Sequence, residues 1–221
     1  MNERIITRIE QQKRNPDRVN IYLDNHFAFG LHKFVASKLK VGDVLDEDNI
    51  QVLEQDNATE EAYQKALRLL SFRPRTEHEM RSRLRGYGFP APIVDAAITR
   101  LTEKEYLDDR QFADEWVENR TTFRPRGKKL LRLELQQKHV DDEQIQSALA
   151  ALPDDVQLAR EAAKKYSLKL KGLDENRFKQ KLYGFLVRRG FLYEDIKPIL
   201  DETWEEMARL NSLENEVMEN E

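Results

Sequence analysis

Phe72-Arg73-Pro74-Arg75 returns as Phe123-Arg124-Pro125-Arg126, 51 residues further along the chain. A four-residue match alone constrains little, but the apolar residues around it repeat at the same spacing. Met80, Leu84, Phe89, Val94, Ala97, Ile98 and Leu101 shift onto Leu131, Leu135, Val140, Ile145, Ala148, Leu149 and Leu152. A second shift of 51 reaches Leu182, Leu186, Phe191, Ile196, Ile199 and Leu200, with Thr203 breaking the last column. Arg75 and Arg126 shift onto Arg177. Self-similarity at a period of this length marks a repeat architecture, in which one supersecondary unit is copied and each copy covers its neighbour.

Within each copy the apolar residues recur three and four apart, the spacing of an amphipathic helix. In the first, Ala62, Ala66, Leu69 and Leu70 mark one helix. Thr76-Glu77-His78-Glu79 reads as a capping box opening a second helix, which stops at Gly86-Tyr87-Gly88. Pro90 and Pro92 stand where a third begins, a position that tolerates proline, and Ile93 to Leu101 form its buried stripe. The second copy repeats the plan. Asp108-Asp109 cap a helix carrying Phe112, Ala113, Trp116 and Val117, Gly127 to Lys138 gives the next, and Asp141-Asp142 cap the third. Trp116 shares a face with Phe112 and Ala113 and is expected in the core. In the third copy Pro153-Asp154-Asp155 opens the first helix, Phe178, Leu182 and Leu186 define the second, and Ile196 to Trp204 the last.

The first 57 residues differ. Val19, Ile21 and Leu23 alternate, Asp24-Asn25-His26 turns, and Phe27, Phe29 and Leu31 alternate again. That pattern predicts a β-hairpin, with Ile5 to Gln11 as a third strand. His32 to Leu39 supplies a short helix, stopped at Val41-Gly42-Asp43. The expected fold is mainly α: three tandem three-helix repeats forming an elongated curved rod, roughly 60–80 Å long, with a small β-rich N-terminal module. The boundaries read as a β-rich module over 1–57, repeats over 58–108, 109–153 and 154–208, and an acidic tail over 209–221, a fraying helix or a disordered end.

Charged residues make up 35% of the chain against 39% hydrophobic, which favours helices with modest cores. There is no cysteine, so a disulfide framework, a thiolate nucleophile and a thiolate metal site are excluded, and a reducing cytoplasm fits. No apolar run reaches 18 residues, so no membrane-spanning helix is expected. His26, His32, His78 and His139 are scattered, none at metal-ligand or triad spacing. Glu103, Glu105, Asp108 and Asp109 cluster where helix caps belong, which explains them better than acid–base chemistry. No Walker loop and no GxGxxG occurs. A non-enzymatic protein without cofactor or metal is expected.

The net charge of −4 hides a segregation. From Lys65 to Lys138 there are 17 Lys/Arg against 11 Asp/Glu, from Arg160 to Arg189 10 against 3, and from Glu194 to Glu221 2 against 10. A basic middle implies an anionic partner, nucleic acid or an acidic protein face. The candidate binding residues are Arg73, Arg75, Arg124, Arg126 and Arg177, placed in connectors between first and second helices, with Arg81 and Arg132 in register and Lys128-Lys129 adding charge to the second connector. Guanidinium forks suit phosphates and carboxylates, and a row of them at fixed spacing suits a partner with its own repeat. The competing reading pairs some of these arginines internally, with Glu79 or Glu134. Connectors contribute little to a core, so charge reversal of Arg124, Arg126 and Lys128 is expected to spare folding.

Glu105-Tyr106-Leu107-Asp108-Asp109-Arg110-Gln111-Phe112-Ala113 resembles the "GYLDDRRFA" signature of the RecX family. Arg75-Thr76-Glu77-His78-Glu79-Met80 before it, and Arg126-Gly127-Lys128-Lys129 with Leu131 to Leu135 after it, agree with that pattern, and the resemblance covers roughly residues 59–205. Two positions depart from it. Glu105 stands where the family usually has glycine, and His139 stands where a repeat's second helix usually ends in glycine, so His139 would hold a positive-φ terminus. RecX proteins regulate the bacterial recombinase RecA. The resemblance implies that the protein binds the RecA filament and inhibits ATP hydrolysis, strand exchange and coprotease activity, or promotes filament disassembly; a monomer is expected. This would place it in DNA recombination, repair and the SOS response. A nucleic-acid binder that contacts single- or double-stranded DNA directly, built from helix-turn-helix-like units, is the alternative.

Overall fold

Residues whose side chains alternate between two environments make strands, and the N-terminal segment does so three times. In the computed structural model, which describes residues 3–219, β1 (Arg4–Gln11), β2 (Arg18–Leu23) and β3 (His26–His32) are joined by a fourth, two-residue strand, β4 (Val44–Leu45). The sheet order is β3-β2-β1-β4, antiparallel throughout. Asp24 and Asn25, at φ 50° and 68°, form the hairpin turn; positive φ at both central residues matches the right-handed twist of the flanking strands. Ile6, Ile21, Leu23 and Leu31 line the buried face. β4 was not expected, since two residues carry no readable period.

A short helix, α1 (Lys33–Ala36), and the first half of a long one, α2 (Glu47–Leu70), cover that face, with Ile50 and Leu53 packed against it. The second half of α2 turns Ala62, Tyr63 and Ala66 into a different core. The border expected after residue 57 therefore lies within one continuous helix. Arg18 pairs with Glu61, and Asn57 Oδ1 accepts the His32 amide at 2.7 Å, so the helix is stitched to the sheet there.

With α3 (Glu77–Gly86) and α4 (Ala91–Glu103), α2 completes the first three-helix unit. The second comprises α5 (Asp109–Phe123), α6 (Lys128–Gln137) and α7 (Asp142–Ala150). The third comprises α8 (Asp155–Ser167), α9 (Glu175–Arg188) and α10 (Tyr193–Glu219), with a 3-10 turn at Leu168–Leu170. By contact the chain divides into two compact parts, one ending at Asp108 and one beginning at Asp109. The third helices begin at residues 91, 142 and 193, which keeps the 51-residue period. Leu84, Leu135 and Leu186 are each fully buried at equivalent places in α3, α6 and α9. Thr203, the break in the last column, is buried and donates its hydroxyl to Ile199 O at 2.6 Å.

The period also governs how the second helices stop. Gly88, His139 and Gly190 have φ 90°, 57° and 86°. The following amides, of Phe89, Val140 and Phe191, donate back to Leu84, Leu135 and Leu186 carbonyls at 3.2–3.3 Å. This left-handed ending satisfies carbonyls that the helix leaves open. His139 thus adopts the conformation its position in the repeat requires, and Glu105, at φ 58°, does the same after α4.

Three local expectations change. Asp141 occupies the N-cap of α7, yet its side chain makes no capping bond. Trp116 is half-buried: it stacks on Phe112 with ring centroids 5.6 Å apart and donates Nε1–H to Glu134 at 2.9 Å. We therefore expect Trp116→Ala to cost about 2 kcal/mol in a urea unfolding series, below the roughly 3–5 of a fully packed tryptophan. A loss under about 0.5 kcal/mol would show that neither the stacking nor the Glu134 bond holds α5 to α6. Finally, α10 continues as helix through Glu219, past the expected stop at Trp204; residues 220–221 of the expected acidic tail lie outside the described residues.

Candidate partner-binding surface

Each Phe-Arg-Pro-Arg segment leaves its phenylalanine outside. Phe72 is 76% exposed and Phe123 73% exposed, the two most exposed large apolar side chains of the described residues. Proline cannot extend the preceding helix and restricts the residue before it to extended conformations. The connector is therefore stiff: its first arginine, Arg73 or Arg124, is exposed, whereas its second, Arg75 or Arg126, is half-buried.

In the first connector Arg73 bonds Glu79 and the Pro74 carbonyl, both at 2.9 Å. Thr76 accepts the Glu79 amide at 3.2 Å, so the capping residue and the arginine's partner belong to one turn of α3. Arg75 Nε donates to Leu69 O at 3.3 Å; burial, then the neighbouring Arg73, keeps its pKa below the ordinary arginine value. Arg81, on α3, bonds Glu77 at 2.7 Å and pairs with Asp95 of α4. Burial opposes its charge, but those two carboxylates outweigh burial and raise its pKa.

In the second connector Arg126 pairs with Glu134 of α6, whose other oxygen takes Arg120 of α5 at 3.2 Å. Glu134 is only 13% exposed, so this carboxylate and its two guanidiniums form an internal clamp between α5 and α6. Arg120 also lies 4.1 Å over the Trp116 ring. Lys128 begins α6: its amide donates to Asp155 at 2.9 Å and its Nζ to Leu152 O at 3.1 Å, tying the second unit to the start of α8. Arg132 stands 3.8 Å from Asp142. Arg124 and Lys129 are exposed and have no side-chain partner among the described residues.

Arg177 was expected in a connector. It lies instead in the first turn of α9, because the helix begins four residues before the position its register with α6 would give, at Glu175. Asp174 caps that helix, accepting the Arg177 amide at 3.0 Å, and holds the guanidinium at 3.5 Å.

The internal-pairing reading thus describes Arg73, Arg81, Arg126, Arg132 and Arg177, while Arg124 and Lys129 remain open to a partner. Reversing Arg126 or Lys128 would break fold contacts, contrary to the expectation that this connector is dispensable to folding. Sequence reasoning also missed two arginines. Arg189 ends α9, and its carbonyl accepts the Gly127 amide at 2.9 Å, so the third unit delivers it beside the second connector. Arg120 lies one helical turn before Arg124, a spacing that could have flagged it.

The comparisons with known proteins cover nearly the whole chain. Four family models match in order: the regulatory protein RecX N-terminal domain over residues 4–46, and the first, second and third RecX three-helix domains over 62–101, 108–149 and 153–200. The chain is 35% identical over 206 residues to the regulatory protein RecX of Bacillus pumilus, covering 90% of this chain and 78% of that one. Against the Bacillus licheniformis protein of the same name it is 36% identical over 206 residues, covering 90% and 77%. A crystal structure of regulatory protein RecX superposes with a TM-score of 0.73 at 29% identity, covering 90% of this chain and 99% of that one. The structure of RecX from Lactobacillus salivarius gives 0.58 at 24% identity over 67% of this chain and 97% of that one, a likeness of fold. Among the described residues no helix is long and apolar enough to cross a membrane. A sheet module followed by three three-helix units, matched in order by four family models, fixes the assignment: the chain belongs to the RecX family of regulatory proteins.

Proposed function

We propose that this protein is a non-enzymatic regulator that binds the RecA–DNA filament as a monomer in the cytoplasm and inhibits RecA ATP hydrolysis, strand exchange and coprotease activity. The observation that carries this reading is the ordered succession of all four RecX family models. The partner comes from the resemblance, and the surface is compatible with it. Exposed Phe123 and Arg124 with Lys129 in the second unit combine an aromatic anchor with unpaired cations, the composition of binding hot spots. The counterpart at Phe72 and Arg73 gives the first unit the same chemistry in weaker form, since Arg73 is already paired.

RecA ATP hydrolysis on single-stranded DNA, titrated with this protein, tests the proposal. Arg124→Glu with Lys129→Glu touches no partnered side chain, so circular dichroism should show the fold intact. Half-inhibition should need at least about tenfold more protein, equivalent to roughly 1.4 kcal/mol of lost binding. If the double variant inhibits at the wild-type concentration, the second connector is not the binding surface. If the wild type leaves ATP hydrolysis untouched, the inhibitory reading fails as a whole.

Direct binding to nucleic acid is the second reading, favoured by those same unpaired cations. Co-sedimentation with DNA alone, weakening steeply as salt rises, would support it; tight association that requires RecA would support the first.

A further inference from the structure

The guanidiniums at the junction of the second and third units outnumber the carboxylates that meet them. Arg126 shares Glu134 with Arg120, Arg124 has no side-chain partner, and Arg189 is brought alongside by the bond from the Gly127 amide to its carbonyl. Nε of Arg126 and Nη1 of Arg189 lie beneath the surface without a hydrogen-bond acceptor. Buried donors are nearly always satisfied, so two in one place call for an explanation. Arg189 is held firmly: its guanidinium lies 4.8 Å over the Phe185 ring, which stacks on Tyr166 at 3.9 Å.

We propose that Arg124, Arg126 and Arg189 form a phosphate-binding site at this junction. The proposal goes beyond filament binding and concerns the free protein. One carboxylate, Glu134, already sits in the cluster and leaves these donors unmet. A phosphate group offers oxygens in a tetrahedral array, so guanidiniums arriving from different helices can each find one, in the paired geometry arginine favours. Burial and then mutual repulsion hold the pKa of Arg126 below the ordinary arginine value, with Arg120, Arg189 and Arg124 all contributing, and burial and Arg124 do the same to Arg189. These groups are therefore close enough to feel one another. An anion seated among them would relieve that repulsion. Phe123, exposed immediately before Arg124, adds a ring on which a nucleic-acid base can stack.

The test is a melting series of the full chain in pyrophosphate against sodium chloride of equal ionic strength. Pyrophosphate should raise the wild-type melting temperature, with binding about tenfold weaker in Arg124→Gln and in Arg189→Gln, as expected for a lost charge-assisted hydrogen bond. Lys38→Gln, in the N-terminal module, should bind as the wild type does. Arg189 is partly buried, so should Arg189→Gln misfold, Arg124→Gln, at an exposed and unpartnered position, decides alone. A shift that chloride reproduces, that Arg124→Gln leaves intact, or that polyglutamate matches would overturn the proposal. A parallel arm measures anisotropy of labelled oligothymidylate. Binding weakened by both Arg124→Gln and Phe123→Ala identifies the phosphate as a nucleic-acid backbone. A pyrophosphate shift without oligonucleotide binding identifies free phosphate, and both results sustain the site. RecA is absent throughout, so failure here leaves the filament reading standing.

Discussion

Gly190→Ala lowers the stability of the second and third units by about 2–5 kcal/mol. Two separable effects produce this. The residue lies at φ +86°, where an L-residue costs roughly 1–2 kcal/mol. An added Cβ would also overlap Leu130 Cβ, and overpacking of this kind costs about 1–3 kcal/mol. The molecule contains its own control. Gly88 ends α3 in the same conformation, at φ +90°, with nothing within 4 Å of an added Cβ, so Gly88→Ala should show the conformational part alone, about 1–2 kcal/mol. Gly127→Ala supplies the complement. Its backbone is ordinary, but an added Cβ would stand 2.5 Å from the Gly190 carbonyl oxygen, so that variant should show the packing part. Urea unfolding of the three variants measures all of this. Equal losses at Gly88 and Gly190 would mean that the second and third units are not in close contact at this junction.

Glu60→Ala costs about 3 kcal/mol. Glu60 is 2% exposed, and its carboxylate takes Arg100 of α4 at 2.5 Å and Gln64 at 2.7 Å. Arg100 lies in turn 3.9 Å over the Tyr63 ring and 5.2 Å over Phe34 of α1. Removing one member of a buried pair strands the other charge, a loss of about 3–5 kcal/mol. Arg100 is 27% exposed and can recover some water, which sets the lower end. Leucine at both positions should restore most of the loss, because the desolvation cost of both charges disappears with them. A loss below about 1 kcal/mol for Glu60→Ala would show that the pair is solvated and incidental. The pH dependence has a definite sign. Burial pushes the Glu60 pKa up, but the bonds from Gln64 and Arg100 outweigh it and the net shift is downward. A carboxylate depressed in the fold contributes stability above its unfolded pKa, and that contribution is lost as pH falls through the folded value. Acid unfolding of the wild type should therefore be steeper than that of the double-leucine variant.

The helical part was legible because its information is periodic. Leu84, Leu135 and Leu186 needed only a spacing of 51 to be recognised as equivalent, and burial by a neighbouring helix of the same unit is a local consequence of amphipathic pattern. The hairpin turn at Asp24-Asn25 was readable because it depends on a few residues in sequence, and the left-handed ending at His139 because the RecX pattern usually places glycine there. Arg177 shows where this fails. The capping Asp174 starts α9 a turn early, so a residue aligned with two connector arginines becomes a helical one.

The chain by itself determined the repeat, the identity of the helices, the hydrophobic columns and the basic character of the connectors. Tertiary structure decided which of those cations are spent on the fold. The sequence could name Glu134 as an internal partner for a connector arginine, but no spacing announces that it binds Arg120 as well as Arg126, that Lys128 reaches Asp155, or that Gly127 and Gly190 meet backbone to backbone. These contacts join residues from 8 to 63 positions apart, at distances fixed only once whole helices have packed. An ion pair depends on a few ångströms of separation, whereas a hydrophobic stripe needs only a direction. Hence the sequence could place the core and list the cations, while the packed helices separated Arg124 and Lys129, which stay open, from those already held.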